Sequence, residues 1–495
     1  MLGCHKQSWH KSIIQEVAKY KTTIGLEIHA ELKTNTKMFC GCKNDPLEKI
    51  PNKNICPICL AHPGTLPTIN KRAVEFLVAI GQALGGEISG KAHFDRKSYF
   101  YPDLPKGYQI SQYEEPFVKG GNLVGVEITR VHLEEDTARL AHDKSGSQID
   151  FNRAGLPLME LVTEPVIETA DKALEFAKEF QLILRYLGAS DADMEKGQMR
   201  VEANVSVAKD GAKELGTKVE LKNINSFKAV ASAIGYEVKR QINVLDGGGK
   251  VVQETRGWDD KKSETFSQRL KEEANDYRYM PEPDLPPVDF DVSEGIDLEK
   301  IRISVPELPA DKRQRFVKEF GMRGDQVEVL VSNMRLSEYF EEVYSELSTM
   351  ERITEKSTQL LVNYLTSDLM GLLNEKRAVI EGLKIKAEDM AELVALIEDG
   401  EVSSRVAKDI LRAMFETGVD PHSFIKDKSL GRIEDDSEVI EAVKKTISEN
   451  KKAVEDYKNG KGTAVKFLIG QAMGKLRGRG NPELLEKLFL EYLAK

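Results

Sequence analysis

The residues Thr23-Ile-Gly-Leu-Glu-Ile-His-Ala-Glu-Leu-Lys33 decide the fold of the first half of the chain. Apolar side chains occupy every second position of this stretch, which is the period of a strand with one buried face. Residues 199–206 and 218–222 alternate in the same way, and such alternation is typical of antiparallel sheets with one polar face. We therefore expect a mostly antiparallel sheet, with helices at 70–84 and 173–187 packed against it.

The second half of the chain follows a helical period. The proline-dense segment Pro281-Glu-Pro-Asp-Leu-Pro-Pro287 suits neither a helix nor a central strand and ends the sheet region. Beyond it the apolar spacing predicts helices over 310–320, 336–347, 358–373, 387–397 and 405–416, with a candidate hinge near Gly400. Asn481-Pro482 opens the last helix as a cap followed by proline.

The predicted fold class is α+β. It comprises an N-terminal extension at 1–21, a sheet domain at 22–295, a helical domain at 296–404 and a tail domain at 405–495.

The composition narrows the class of protein. A net charge of −10 over 495 residues argues against bulk electrostatic wrapping of nucleic acid, although a local basic patch can still hold phosphates. No stretch approaches the roughly 18 consecutive apolar residues of a membrane span, and residues 1–21 lack the apolar region of a secretory signal. We expect a cytoplasmic protein with no membrane partner.

Four of the five cysteines form two close pairs, Cys40-Gly-Cys42 and Cys56-Pro-Ile-Cys59. Each short spacing lets two thiolates converge on one ion, which is the pattern of a tetrahedral zinc site. Because four protein ligands leave no position for a substrate, we expect structural Zn²⁺ rather than catalytic Zn²⁺. Cys4 is separate from this group.

Acidic side chains recur on the polar faces of the predicted strands. Alternation places Glu27, His29 and Glu31 on one side, roughly 6.5–7 Å apart in succession, and Glu160 falls inside an apolar run, where an unpaired carboxylate is costly. Other strands interleave acids with bases, namely Arg200, Glu202, Lys218, Glu220 and Lys222. Such a set could hold Mg²⁺ and the phosphates of ATP. The simpler alternative is a group of cross-strand salt bridges on an exposed face.

Aromatic and basic residues mark two further regions. Tyrosines alternate with Arg and Lys over 94–112 and 276–284, which suits stacking against RNA bases or, equally, loops packed by their own tyrosines. Residues 461–480 carry bases and no acid, which favours either an RNA-binding surface or a solvated helix face. The chain has no P-loop and no Gly-x-Ser-x-Gly elbow, so catalysis by a protein nucleophile is unsupported.

Taken together, these segments resemble the GatB family, the transamidating subunits of the aspartyl/glutamyl-tRNA (Asn/Gln) amidotransferases, over nearly the whole chain after the extension. The motifs are Ile24-Gly-Leu-Glu-Ile-His29, Phe94-Asp-Arg-Lys97, Tyr99-Phe-Tyr-Pro-Asp103, Tyr108-Gln-Ile-Ser-Gln112, His132-Leu-Glu-Glu-Asp136, Asn152-Arg153, Leu221-Lys-Asn-Ile-Asn-Ser-Phe227, Gln253-Glu-Thr-Arg256 and Asp276-Tyr-Arg-Tyr279. The resemblance implies a cradle-shaped catalytic domain related to glutamine synthetase, followed by a helical domain and a tail similar to the YqeY family.

The resemblance also implies a reaction. An ATP-dependent carbon–nitrogen ligase phosphorylates the side-chain carboxylate of Glu-tRNA(Gln) or Asp-tRNA(Asn), and ammonia then displaces the phosphate. The ammonia is released from glutamine by a separate amidase, which is one partner in the complex, and a small clamping polypeptide is another. The non-discriminating aminoacyl-tRNA synthetase is a further candidate partner. Which charged tRNA is used stays open.

Site residues follow from the same motifs and from the interleaved charges. For Mg²⁺ and catalysis they are Glu27, His29, Glu135, Glu160 and Glu202; for the ATP phosphates, Arg200, Lys218, Glu220 and Lys222. For the ammonia route they are Lys97 and Lys106; for tRNA, Tyr99, Tyr101, Arg278, Lys466, Lys475, Arg477 and Arg479. Strict alternation places Glu134, rather than Glu135, beside His132. Either a bulge turns the strand end or Glu134 is the ligand, and we take Glu135.

Three competing interpretations are weaker. Amidotransferases of the archaeal type have an inserted domain before the helical region, for which residues 280–301 leave no room. A non-catalytic zinc-knuckle RNA-binding scaffold explains the cysteines and the basic tail but leaves Glu160 unexplained. The sequence has no signature of an aminoacyl-tRNA synthetase.

Overall fold

The computed structural model describes residues 19–143, 146–270, 277–291, 295–428, 436–458, 461–476 and 482–494. The chain divides into two compact units, Met1–Pro309 and Ala310–Lys495. The predicted segment boundaries at 295 and 404 stay predictions. None of the described helices is both long enough and apolar enough to span a membrane.

The first unit combines strands with a few helices. Its strands are β1 (Tyr20–Glu31), β2 (Glu87–Ile88), β3 (Lys91–Ala92), β4 (Asp95–Ser98), β5 (Tyr108–Ser111), β6 (Val118–Lys119), β7 (Asn122–Leu123), β8 (Val126–Glu135), β9 (Arg139–Asp143), β10 (Gly146–Asp150), β11 (Pro157–Thr163), β12 (Met199–Lys209), β13 (Val219–Lys222), β14 (Glu254–Asp259), β15 (Glu264–Leu270), β16 (Met280–Pro281) and β17 (Val288–Asp289). Its helices are α1 (Lys71–Ala83), α2 (Ala170–Tyr186), α3 (Phe227–Asp246) and α4 (Leu298–Ser304).

Ten strands form one sheet, in the order β15-β14-β13-β12-β1-β11-β8-β6-β2, with β7 paired to β8. The ladders are antiparallel apart from the β13–β14 pair, which is parallel. The predicted antiparallel sheet is therefore confirmed, with one exception. The deciding stretch forms the central strand β1, flanked by β11 and β12.

The two faces of β1 have opposite characters. Ile24, Leu26 and Ile28 are at most 1% exposed and belong to the core shared with α1, α2 and α3. Because side chains alternate along a strand, Glu27 and His29 are directed to the opposite face. The helices begin at capping side chains, Asn70 for α1 and Thr169 for α2, each of which accepts a hydrogen bond from a backbone N–H of the first turn. Core burial on one face thus leaves a polar face for chemistry.

A smaller sheet, in the order β16-β4-β5, carries the motif residues of the segments around Lys97 and Tyr279. It is held by Arg96 on β4, whose guanidinium donates two hydrogen bonds to the buried carboxylate of Glu282, at 2.7 and 2.8 Å. Arg96 also lies over the ring of Tyr108 on β5, 4.4 Å from its centre. Two further sheets pair β9 with β10 and β3 with β17.

The second unit is helical throughout its described part. Its helices, the first of which starts at the last residue of the first unit, are α5 (Pro309–Phe320), α6 (Gly324–Val331), α7 (Met334–Thr349), α8 (Glu355–Asn363), α9 (Met370–Lys376), α10 (Ala387–Glu398), α11 (Ser404–Thr417), α12 (Pro421–Lys428), α13 (Asp436–Glu449), α14 (Lys451–Lys458), α15 (Thr463–Lys475) and α16 (Pro482–Ala494).

Two features of the helical unit bear on the sequence predictions. The helix predicted over 358–373 is interrupted, because a π-helical segment, Tyr364–Leu369, lies between α8 and α9. The last four helices share a core of their own around Val443, Leu468, Leu485 and Phe489, and Pro482 opens α16 as predicted.

Candidate active site

The polar face of the large sheet brings ionisable side chains from neighbouring strands into rows. His29 on β1 lies opposite Glu160 on β11 and opposite Arg200 on β12. Glu160 in turn lies opposite His132 on β8. Because directly opposed residues share a face, one row runs across four strands in the order His132, Glu160, His29, Arg200.

Carboxylates of this row and of the neighbouring rows converge on His29. Its Nε2 atom lies 3.3 Å from Glu160 Oε2, 3.5 Å from Glu134 Oε1 and 3.8 Å from Glu27 Oε1. His132 Nε2 lies 3.4 Å from the same Glu160 oxygen. Ligand atoms of Glu27, His29 and Glu160 lie within 4.8 Å of one another, and so do those of His132, Glu134 and Glu160. We call these five residues the carboxylate cluster. Its oxygen-rich donor set suits a divalent cation.

The ionisation of the cluster reflects burial opposed by charge. Burial raises the pKa of Glu27 to about 7, and the charge of Glu160 adds to the effect. Burial lowers the pKa of His29. The hydrogen bond and charge of Glu160, together with the charges of Glu134 and Glu27, outweigh burial and raise this pKa to about 9. Burial alone would raise the pKa of Glu160, but the charges and hydrogen bonds of His132 and His29 hold it well below the usual range. The cluster therefore attracts positive charge, whether protons or a metal ion.

The end of β8 does not follow the prediction for Glu135. The ladder between β8 and β11 is regular from Arg130 to Glu135, so no bulge turns the strand. Glu134 consequently faces His29 and accepts a hydrogen bond from Ser111 Oγ at 3.2 Å. Glu135 faces away: it accepts from the backbone N–H of Ile110 at 3.0 Å and pairs with Lys106 at 2.6 Å. The structure therefore brings Glu134 into the cluster and leaves Glu135, the residue predicted as a ligand, outside it; the ligand set itself stays a prediction.

A second group of charges adjoins the cluster on β12 and β13. Glu202 lies opposite Glu27 and accepts a hydrogen bond from Lys222 Nζ at 2.7 Å. Lys222 is also 3.4 Å from Glu220, whose other oxygen accepts from Thr255 Oγ1 at 2.7 Å. Burial lowers the pKa of Lys222, but the two carboxylates outweigh it and keep the pKa above its usual range. A charged ammonium is therefore held beside the cluster.

The remaining predicted phosphate-binding residues differ in their placement. Arg200 forms an ion pair with Asp136, 2.9 Å apart, and Asp136 also lies 3.3 Å from Arg153. Lys218 is exposed and precedes β13, and none of the ion pairs between described residues includes it. The structure thus brings Lys222 and Arg200 to the site's face and leaves Lys218 at its margin.

The predicted ammonia-route and tRNA residues of the first unit lie on or near the small sheet. Lys97 Nζ is 5.1 Å from the ring centre of Tyr277. Burial lowers the pKa of Lys97, but the charges of the Glu134 and Glu160 carboxylates outweigh this effect and raise the pKa above the usual range. Tyr99 packs edge-on against Tyr277, with ring centres 6.1 Å apart. Of the others, Tyr101 and Arg278 are exposed.

The four predicted zinc ligands come together as expected from their spacing. Their Sγ atoms all lie within 4.8 Å of one another. Cys59 Sγ lies 3.1 Å from the backbone N of Cys56 and 3.8 Å from the ammonium of Lys37, which is fully buried. The hydrogen bond with Cys40 lowers the pKa of Cys59 to about 5, although burial opposes it. Four converging sulfurs with nearby donors fit a closed Zn²⁺ site.

The four-cysteine group adjoins the Lys106–Glu135 ion pair. A cavity of about 270 Å³ lies between them, lined among others by Phe39, Cys59, Lys106, Tyr108 and Glu135. Two motifs that are far apart in the sequence therefore line the same cavity.

Comparison with known protein families finds two matching domains. Residues 22–294 match the GatB/GatE catalytic domain, and residues 338–493 match the GatB domain, GatB_Yqey. This chain belongs to the GatB family. The predicted resemblance is confirmed.

Named GatB relatives cover almost the whole chain. The aspartyl/glutamyl-tRNA(Asn/Gln) amidotransferase B subunit of Caldicellulosiruptor bescii is 44% identical over 490 residues, which is 96% of this chain and 100% of the relative. The protein of the same name in Carboxydothermus hydrogenoformans is 43% identical, with 96% and 99% covered. That of Thermodesulfovibrio yellowstonii is 44% identical, again with 96% and 99% covered.

The predicted tRNA residues of the GatB tail lie on its helices or beyond the described part. Lys466 is exposed on α15, and Lys475, at the end of α15, forms an ion pair with Glu449. Arg477 and Arg479 lie outside the described residues. Exposure of Lys466 leaves it available to a ligand.

Two residues of the candidate site were not assigned from the sequence, and only the first of them was within its reach. His132 shares the β8 face with Glu134, which simple alternation indicates. Asp136, the partner of Arg200, follows directly after β8, but its pairing across the sheet depends on strand order, which alternation does not specify.

Proposed function

We propose that this chain is the transamidating subunit of a tRNA-dependent amidotransferase. It would use ATP to phosphorylate the side-chain carboxylate of Glu-tRNA(Gln) or Asp-tRNA(Asn), and ammonia would then replace the phosphate to give the amide. The observation that carries the proposal is the buried carboxylate cluster beside the ammonium of Lys222. The names of its relatives, which are aspartyl/glutamyl-tRNA(Asn/Gln) amidotransferase subunits, support the same reaction.

The cluster fits the metal that such a reaction requires. Glu27, His29 and Glu160, with Glu134 beside them, would hold Mg²⁺. When bound, Mg²⁺ neutralises phosphate charge and orients the γ-phosphoryl group for in-line attack. Glu202, opposite Glu27, would complete the surrounding acidic shell while holding Lys222 in place.

The basic residues would receive the phosphates of ATP. Lys222 and Arg200 flank the cluster on β13 and β12, and each is held by a carboxylate at 2.7–2.9 Å. Glu220 positions Lys222, and Lys218 would act at the exposed margin. A carboxylate exchanges its oxygen for ammonia only once that oxygen has become a phosphate leaving group, so charge neutralisation, rather than a protein nucleophile, is the main task.

Ammonia and tRNA would reach the cluster from the small-sheet side. Lys97 and Lys106 would line the route for ammonia released by the partner amidase, and the small clamping polypeptide would complete the assembly. Tyr99, Tyr101 and Arg278 would contact the acceptor end of the tRNA. The tail would contact the tRNA body through Lys466, Lys475, Arg477 and Arg479.

The other elements of the proposal follow from the family. The zinc knuckle would be structural, the sheet domain would be related to glutamine synthetase, and the segments 22–295, 296–404 and 405–495 would be the three domains. The protein would be cytoplasmic. The non-discriminating aminoacyl-tRNA synthetase would be a further partner.

The deciding experiment combines this chain with the partner amidase, the small clamping polypeptide, Mg-ATP, glutamine and each charged tRNA. Formation of Gln-tRNA or Asn-tRNA that stops when ATP is omitted is the expected result. Binding of the charged tRNA with no conversion of either would contradict the proposal and favour an RNA-binding scaffold.

A further inference from the structure

Arg130 is a cation on the polar face of β8 that forms no ion pair with any residue the structure describes. Its Nε atom is buried and has no hydrogen-bond partner there. Its neighbours across the two ladders are Lys119 on β6 and Val162 on β11, and neither side chain can accept a hydrogen bond. Lys119 is itself paired with Glu115, at 2.7 Å. Since a buried donor without an acceptor is costly, the surroundings of Arg130 are suited to an anion from outside the chain.

Arg130 shares the polar face of β8 with His132 of the carboxylate cluster, two residues away, and two stacked tyrosines extend from it. The guanidinium lies 5.7 Å from the ring centre of Tyr113, and Tyr113 stacks on Tyr279 with ring centres 4.3 Å apart and planes 11° apart. Burial raises the pKa of Tyr279 to about 12. The charges of Lys97 and Arg130 lower this pKa, and those of Glu160 and Glu134 raise it. The Tyr279 hydroxyl makes no hydrogen bond with a described residue.

We propose that Arg130, assisted by the Tyr279 hydroxyl, binds the side-chain carboxylate of the amino acid carried by the tRNA. The assignment rests on the proposed function and deepens it, because it names the group that separates substrate from product. A guanidinium holds a carboxylate through two charge-assisted hydrogen bonds, whereas the product amide carries no charge.

Arg130 and Lys222 lie on opposite sides of the carboxylate cluster. Lys222 on β13 and Arg130 on β8 are separated by β12, β1 and β11, so their backbones are about 19 Å apart at the usual strand spacing. Glu27, His29 and Glu160 lie on the strands between them. Phosphates held at the Lys222 end and a carboxylate held at the Arg130 end would meet over the carboxylate cluster.

The test compares binding of three forms of one tRNA: uncharged, charged with the acidic substrate that the wild-type complex converts, and charged with the product amide. Binding is measured in the complete complex with its partner amidase and small clamping polypeptide, with Mg²⁺ and without ATP. Arg130→Gln is expected to weaken binding of the substrate form about tenfold or more, and to leave the other two forms unchanged. Lys119→Gln removes a cation from the same cross-strand row and serves as the matched control, with no effect on any form.

Two results would overturn the assignment. An equal loss for all three forms would place Arg130 on the tRNA backbone, and no loss for any form would remove it from recognition. If Arg130→Gln does not fold, judged by its thermal midpoint, Tyr279→Phe removes only the hydroxyl and is expected to weaken the substrate form alone, by about threefold. A wild-type complex that converts neither charged tRNA would contradict the proposed function itself, which distinguishes the two failures.

Discussion

His29 and Glu160 lie directly opposite each other on neighbouring antiparallel strands, with Nε2 of the first 3.3 Å from Oε2 of the second. The contact joins residues that are distant in sequence, and both side chains are largely buried. A buried histidine between carboxylates is held protonated unless a metal ion takes the place of the proton. Replacement of the His29 proton by Mg²⁺ would therefore put His29 and Glu160 at the centre of the proposed metal site.

The two adjacent acids at the end of β8 should have separable effects. Glu134→Gln removes a carboxylate 3.5 Å from His29 and should lower tRNA-dependent ATP hydrolysis at least about a hundredfold. Glu135→Gln breaks the pair with Lys106 and should impair glutamine-dependent amide formation more than ATP hydrolysis. Glu114→Gln, at an exposed position, is the control. The reverse ranking would return Glu135 to the metal site.

The ionisation of His29 can be measured without substrate. In metal-free protein its pKa should be near 9, because Glu160 and Glu134 outweigh burial. Glu160→Gln removes the largest of the upward effects and should bring the value down by more than one pH unit. Histidine-labelled protein would show the change as the pH midpoint of the ring carbon shift. An unchanged midpoint in the variant would mean that the two side chains do not interact.

The contribution of Lys222 to binding the phosphates of ATP can be compared with that of Lys218. Lys222→Gln should weaken Mg-ATP binding about tenfold, since it removes a half-exposed ammonium that Glu202 holds beside the cluster. Lys218→Gln should change it little, because that side chain is exposed before β13. Isothermal titration with Mg-ATP measures both. Equal effects would indicate a general loss of positive charge rather than a specific contact.

Zinc should stabilise the first unit without taking part in the reaction. Cys59→Ser removes one of four converging sulfurs, so zinc content should fall from one ion per chain and the thermal midpoint should drop. Cys4→Ser, the fifth cysteine, is the control and should retain both. A Cys59→Ser protein with full zinc content and stability would exclude the four-cysteine site.

Much of the fold follows from side-chain period alone. Alternation in 23–33 identified β1 and its polar face, and the cysteine spacing indicated a group that the structure brings within 4.8 Å. Alternation also favoured Glu134 over Glu135 as the residue beside His132. The bulge that would have turned Glu135 to that face is absent from the regular β8–β11 ladder between Arg130 and Glu135.

Other features depend on contacts that the period cannot specify. Strand order places β1 between β11 and β12 and isolates Arg130 between Lys119 and Val162, and both follow from long-range pairing. The parallel β13–β14 pair and the π-helical segment at Tyr364–Leu369 were missed for the same reason, since each is imposed by packing rather than by local sequence.

The central claim is that the substrate carboxylate is phosphorylated over the carboxylate cluster. The most direct measurement uses tRNA charged with glutamate or aspartate in which both side-chain carboxylate oxygens are ¹⁸O, in the complete reaction with Mg-ATP and glutamine. The account predicts that one ¹⁸O atom appears in inorganic phosphate for each amide formed, detected by mass spectrometry. Amide formation with no ¹⁸O in the phosphate would contradict it.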